Sequence, residues 1–172
     1  YDSFDPIPNV TILDNTHEKY EGVNFIGSTL WSKASNHCNL TINDFKRITY
    51  KYTGGYGKFK AQEAEALFYM NKLFLKMAIK QGEKNVIITH HAPSFSSSKD
   101  MFLTNQQFEN TTAFATDILY EFKDYDIDAW IHGHMHNTSK YVEFGIPVYA
   151  NPYGYTEYET NKDFSWTKVV EV

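Results

Sequence analysis

Asn85-Val-Ile-Ile-Thr89-His90-His91 and Asp128-Ala-Trp-Ile-His-Gly-His-Met-His136 are the two stretches from which the fold is read. Each opens as an apolar run flanked by polar residues, the mark of a strand buried on both faces. Each ends in histidine. The segment between them holds a predicted helix over 113–123, with Thr111 or Thr112 as its N-cap. A strand–helix–strand unit sets the carboxyl ends of its two parallel strands side by side. The clusters His90-His91 and His132-Gly133-His134-Met135-His136 are therefore expected to meet in space, although they lie far apart in sequence.

Single histidines on strands are ordinary residues, but five of the seven in this chain fall at these two strand ends. In extended backbone, side chains two apart share a side, so His134 and His136 are expected to face one region. Gly133 lets the chain turn out of the sheet. Imidazole nitrogen suits first-row ions such as Zn, Fe and Ni. His132 sits inside the strand and reads as a support for the others. Of the vicinal pair His90-His91, only one readily points at the site, because neighbours on a strand face opposite ways.

Outward from this unit, Ala64, Leu67, Phe68, Phe74, Leu75, Ala78 and Ile79 predict a helix over 60–80. Lys72, Lys76 and Lys80 form its solvated row, and Gly82 is the stop. Strands are predicted over 9–14 and 22–27, a hairpin of 139–144 and 146–150 around Gly145, and a closing strand over 164–172. Residues 32–57 read as irregular. This order suits an α/β architecture in one domain, 1–172, with its site at the carboxyl ends of the central strands.

Bulk properties bound the function. At 172 residues the chain is long enough for a real core. A net charge of −5 argues against gripping extended nucleic acid through a basic face, yet leaves room for a phosphate site centred on cations. Cys38 is the single cysteine, which excludes an intrachain disulfide and a multi-cysteine zinc site and fits a cytoplasmic setting. No apolar run reaches membrane-spanning length.

The segments Thr89-His90-His91-Ala92-Pro93-Ser94 and Trp130-Ile-His-Gly133-His134-Met-His136 resemble the last two metal motifs of the calcineurin-like metallophosphoesterases. Gly27-Ser-Thr-Leu-Trp31, Asn151-Pro-Tyr-Gly-Tyr155 and the closing Asn161–Glu171 are similar to further segments of one bacterial and phage group. The resemblance implies a four-layer α-β-β-α sandwich. It implies two divalent metal ions (Mn, Fe, Zn or Ni), with His90 and His134 on one and His136 on the other. Two such ions about 3.5–4 Å apart share a hydroxide that attacks phosphorus. Family members also carry Asp-X-His, Gly-Asp and Gly-Asn-His motifs earlier in the chain. Asp14-Asn-Thr-His17 has the wrong spacing for the first, and Asn36-His37 the wrong neighbours for the last. Tyr1-Asp2-Ser3 resembles the residues just after Gly-Asn-His-Glu in family members. The catalytic histidine is thus expected upstream of Tyr1, the sandwich incomplete at the N-terminus, and the chain alone nearly inactive.

Further site candidates are His91, Asn110, Asn151 and Tyr153 as substrate contacts, with Gly154 and Tyr155 at the site's edge. Asn110 reads alternatively as a helix cap, and Asn151 to Tyr155 as a turn. Ser94 to Lys99 reads as a polar loop, either lid or linker. The expected function is a metal-dependent phosphoester hydrolase acting on a small phosphoester or nucleotide. The alternatives are a non-catalytic metal- or partner-binding module on the same fold, and a nuclease of the same family.

Overall fold

A computed structural model describes residues 7–98, 104–157 and 159–172. The protein is a mixed α/β fold built on a six-stranded sheet. Its strands are β1 (Thr16–Tyr20), β2 (Val23–Ser28), β5 (Lys84–Thr89), β6 (Ala129–His132), β7 (Ser139–Glu143) and β8 (Ile146–Ala150), in the order β1-β2-β5-β6-β8-β7. The four central strands β2, β5, β6 and β8 are mutually parallel, and both edges pair antiparallel. Thr89, His132 and Ala150 stand in register at the carboxyl ends of β5, β6 and β8.

Ile26, Ile87, Trp130 and Val148 form one row across the sheet, each at most 2% exposed. Against them lies α3 (Ala61–Ala78), the α1 (Cys38–Thr41) and α2 (Asn43–Arg47) helices being single turns. The buried residues of α3, namely Ala61, Ala64, Phe68, Asn71, Leu75 and Ala78, alternate three- and four-residue steps, so they make one stripe. The helix ends at Ala78, four residues before Gly82. Buried Asn24 and Asn85 cause this: the Asn24 amide donates to the Ala78 carbonyl at 3.1 Å, and Lys80 N–H donates to Asn85 Oδ1 at 3.0 Å. The expected solvated lysine row is likewise corrected. Lys72 and Lys76 both reach Glu121 at 2.8 Å and tie α3 to the 3-10 turn Leu119–Phe122. Those donors hold the Glu121 carboxyl below its ordinary range.

Four other expectations fail. Residues 9–14 form no strand; Asn9 and Asn15 adopt left-handed φ of 66° and 50°, and Leu13 crosses directly over Gly27, where no side chain would fit. Residues 32–57 hold α1, α2 and part of the hairpin β3 (Thr49–Tyr52)–β4 (Gly55–Lys58). The helix expected over 113–123 is replaced by α4 (Asn105–Thr111), capped by the Thr104 hydroxyl, and by the 3-10 turn. The tail 164–172 is no strand: it is tied to Asn151 through Ser165 and to Lys84 through the Val172 carbonyl, so its polar groups go to side chains instead of a ladder. Two further short strands, β9 (Gly154–Tyr155) and β10 (Glu159–Thr160), pair as a hairpin. No helix among the described residues is long and apolar enough to cross a membrane.

Candidate metal centre

The site forms where the parallel strands stop. Beyond Ser28, the Thr29 carbonyl accepts from the backbone N–H of both His90 and His91 at 3.2 Å. Beyond β6, Gly133 N–H donates to the carbonyls of Thr89 and His90, at 3.3 and 3.2 Å. These bonds stitch the two histidine-bearing loops together. His134 Nδ1 and His90 Nε2 consequently lie 2.8 Å apart and share a hydrogen bond.

The turn into the site is not made by Gly133, as expected, but by His134, whose φ is +60°. Alternation along an extended strand does not apply there. A left-handed backbone costs a non-glycine residue roughly 1–2 kcal/mol. Such strain persists where the surrounding structure over-determines it, and it concentrates at functional positions.

His90, His134 and His136 all line one open pocket of about 960 Å³, along with Asp44, Phe114, Tyr155 and Glu159. His136 Nδ1 lies 3.3 Å from Glu159 Oε2, and its ring stands edge-to-face against Tyr155 with centroids 4.5 Å apart. A carboxylate on one imidazole nitrogen fixes the tautomer and leaves the other nitrogen as a lone-pair donor. Among the described residues, no three His, Cys, Asp or Glu side chains are disposed to hold an ion as they stand. The donor chemistry nonetheless fits a cation. Ions of the zinc type take imidazole at about 2.0–2.1 Å, so the His90–His134 pair would need to open by about half an ångström.

His91 is 2% exposed and lies behind this pair. Its Nδ1–H donates to the Thr29 carbonyl at 3.3 Å, while its buried Nε2 has no hydrogen-bond partner among the described residues. Its ring packs on Trp31 and His134, at centroid distances of 5.2 and 4.6 Å. His132 is buried too: Nδ1–H donates to the Gly133 carbonyl at 3.0 Å, and Nε2 accepts from the Ser97 hydroxyl at 2.8 Å. The stretch 94–98 is no free loop. It holds the 3-10 turn Phe95–Ser98, and Ser94 donates to Glu143 at 2.7 Å; Lys99 lies outside the described residues, as does Tyr1-Asp2-Ser3.

Gly154 and Tyr155 line the pocket, as expected of its edge, whereas Asn110, Asn151 and Tyr153 are not among its lining residues. Asn110 falls within α4, and its Oδ1 accepts from the Thr41 hydroxyl at 2.7 Å. Asn151 exchanges two hydrogen bonds with the Ser165 backbone. Tyr153 packs edge-to-face on Phe164 at 5.1 Å. Neither Asn36 nor His37 lines the pocket, and His37 faces Glu109 instead at 3.7 Å. Sequence reasoning missed Asp44, Phe114 and Glu159. They come from a segment read as irregular, a misplaced helix and a hairpin with no local signal.

Burial lowers the proton affinity of the cluster. His134 is pushed down to about 4, first by desolvation and then by His90, His136 and His132. His91 lies well below its ordinary value, chiefly by burial, and His90 and His132 are lowered for the same leading reason. These depressed values link stability to pH. Below the unfolded value near 6.5 the denatured chain takes up protons that the native cluster refuses, so stability falls as pH drops from about 6.5 towards 4. For His134 alone that loss reaches up to about 3 kcal/mol. Urea midpoints measured from pH 7.5 to 4.5 are expected to drop steadily below pH 6.5, and less steeply in His134→Gln. Identical profiles for the two proteins would contradict this.

No protein-family model matches the chain, and no solved structure matches it. It is similar to uncharacterized protein L509 of Acanthamoeba polyphaga mimivirus, with 32% identity over 166 residues that cover 90% of this chain. The chain spans 58% of the length of that viral relative.

Proposed function

We propose that this chain carries part of the centre of a metal-dependent phosphoester hydrolase of the calcineurin-like type, with phosphoesters of small molecules or nucleotides as substrates. The observation that carries the reading is the convergence of His90, His134 and His136 on one pocket at the carboxyl ends of parallel strands, with His134 held at φ +60°. His90 and His134 would hold one divalent ion and His136 a second, of Mn, Fe, Zn or Ni. When bound, such ions polarise the phosphoryl oxygens and lower the pKa of water. The chain's own part is to present His90 and His134 as imidazoles whose proton affinity burial lowers, and to wall the pocket with Phe114 and Tyr155.

The finer architecture proposed is the α-β-β-α sandwich. The sheet face opposite α3 carries Phe25, Ile88, Ile131 and Tyr149, and Ile88 is 36% exposed although it lies on a central parallel strand. Parallel sheets are normally covered on both faces. A second layer supplied from outside residues 1–172 would complete the cover and bring the missing carboxylate ligands.

Calorimetric titration with Mn²⁺ and Zn²⁺ tests the reading, beside p-nitrophenyl phosphate hydrolysis by this chain and by a version extended with residues encoded upstream of Tyr1. Metal binding by both and turnover by the extended version alone are expected. Failure of either metal to bind either version sinks the proposal. Binding without turnover in the extended version leaves the non-catalytic metal-binding module.

A further inference from the structure

Two aromatic side chains flank the histidines, one on each loop system. Phe114 packs against His134 at 5.0 Å, and Tyr155 against His136 at 4.5 Å. Both line the pocket. Phe114 is half-buried and wedged into a small cluster with Ala92, Ala115 and Met135. Tyr155 differs: it is 60% exposed and sits in β9 directly beyond the Pro152 turn. Its ring is fixed by the edge-to-face contact with His136, yet most of its surface remains open. An exposed, positioned ring at the rim of a pocket is a stacking platform rather than a core residue.

We infer that the phosphoester taken by this site carries a planar aromatic group, of the nucleobase kind, which stacks on Tyr155 while its phosphate lies among His90, His134 and His136. The inference rests on the phosphoesterase reading and names its substrate class. The pocket, at about 960 Å³, has ample room for a nucleoside monophosphate. Pro152 adds apolar wall, and Asn43 lines the same pocket, where its amide offers both donor and acceptor to a base edge. Stacking tolerates any base, since each has a π-face, so recognition of the ring should be strong and selection among bases modest.

The experiment is a binding series on the Mn²⁺-loaded chain with inorganic phosphate, ribose 5-phosphate and adenosine 5′-monophosphate, on the natural protein, Tyr155→Leu and Tyr155→Phe. Base–aromatic stacking predicts that the adenosine compound binds about tenfold more tightly than ribose 5-phosphate. Tyr155→Leu should weaken the adenosine compound far more than ribose 5-phosphate and so erase that difference, whereas Tyr155→Phe should retain it. Equal affinity for the two sugar phosphates in the natural protein overturns the inference and leaves the phosphoesterase reading standing. So does an equal weakening of both in Tyr155→Leu. Failure of all three phosphates to bind removes the phosphoesterase reading, and the inference with it.

Discussion

His134→Ala is expected to weaken Mn²⁺ or Zn²⁺ binding by about 100-fold or more, because even loss of an outer-shell partner of a metal ligand costs about 10–100-fold. The ring of His134 shares a hydrogen bond with His90 at 2.8 Å and packs between His91 and Phe114. A second variant separates ligand loss from collapse of the turn. In most settings glycine is less stable than alanine by roughly 0.5–1 kcal/mol. At φ +60° the order should reverse, or at least vanish, since glycine alone adopts that backbone without steric cost. His134→Gly is therefore expected to bind metal as poorly as His134→Ala while unfolding at equal or higher urea concentration. Calorimetry and urea denaturation read the two effects separately. Tight metal binding by either variant would exclude His134 as a ligand. Glycine clearly less stable than alanine would mean that the turn relaxes in solution.

Trp130→Ala should have the largest effect on stability, about 3–5 kcal/mol. Trp130 is fully buried, in register between Ile87 and Val148, and stands edge-to-face against Phe122 at 5.2 Å. Its indole N–H donates to the Thr89 hydroxyl at 3.0 Å, and that hydroxyl donates to the His91 carbonyl at 2.8 Å. The same residue thus fills the core and holds the loop that carries His90. A protein of this size is stable by only about 5–15 kcal/mol, so the loss is a large share. In calorimetric scans the melting temperature should fall by on the order of 10 °C. Trp130→Phe, which keeps the ring but drops the donor, should lose markedly less. A change below about 1 kcal/mol in the alanine variant would mean that the core repacks around the gap.

Local patterns foretold the framework well. The apolar runs at 85–89 and 128–131 are central parallel strands, the helix read over 60–80 is α3, and the hairpin turns at Gly145. Each rests on a repeat that burial on one face or both imposes directly on the chain. The meeting of the two histidine groups was legible for the same reason, because parallel pairing of β5 with β6 sets Thr89 beside His132. Segments whose hydrogen bonds are satisfied by distant side chains were not legible. The tail is held by Asn151 and Lys84, α3 is stopped early by Asn24 and Asn85, and residues 9–14 are bent by left-handed asparagines.

By itself the sequence determined a parallel α/β sheet and two histidine groups brought to neighbouring strand ends, since hydrophobic periodicity and strand order are local properties of the chain. Tertiary structure alone decided which side chains surround those histidines. It placed Asp44, Phe114 and Glu159 in the pocket, buried His91 behind it, and forced His134 into a left-handed turn. The physical reason is that these placements depend on contacts between residues remote in sequence, and on backbone conformations that no local pattern of residues announces.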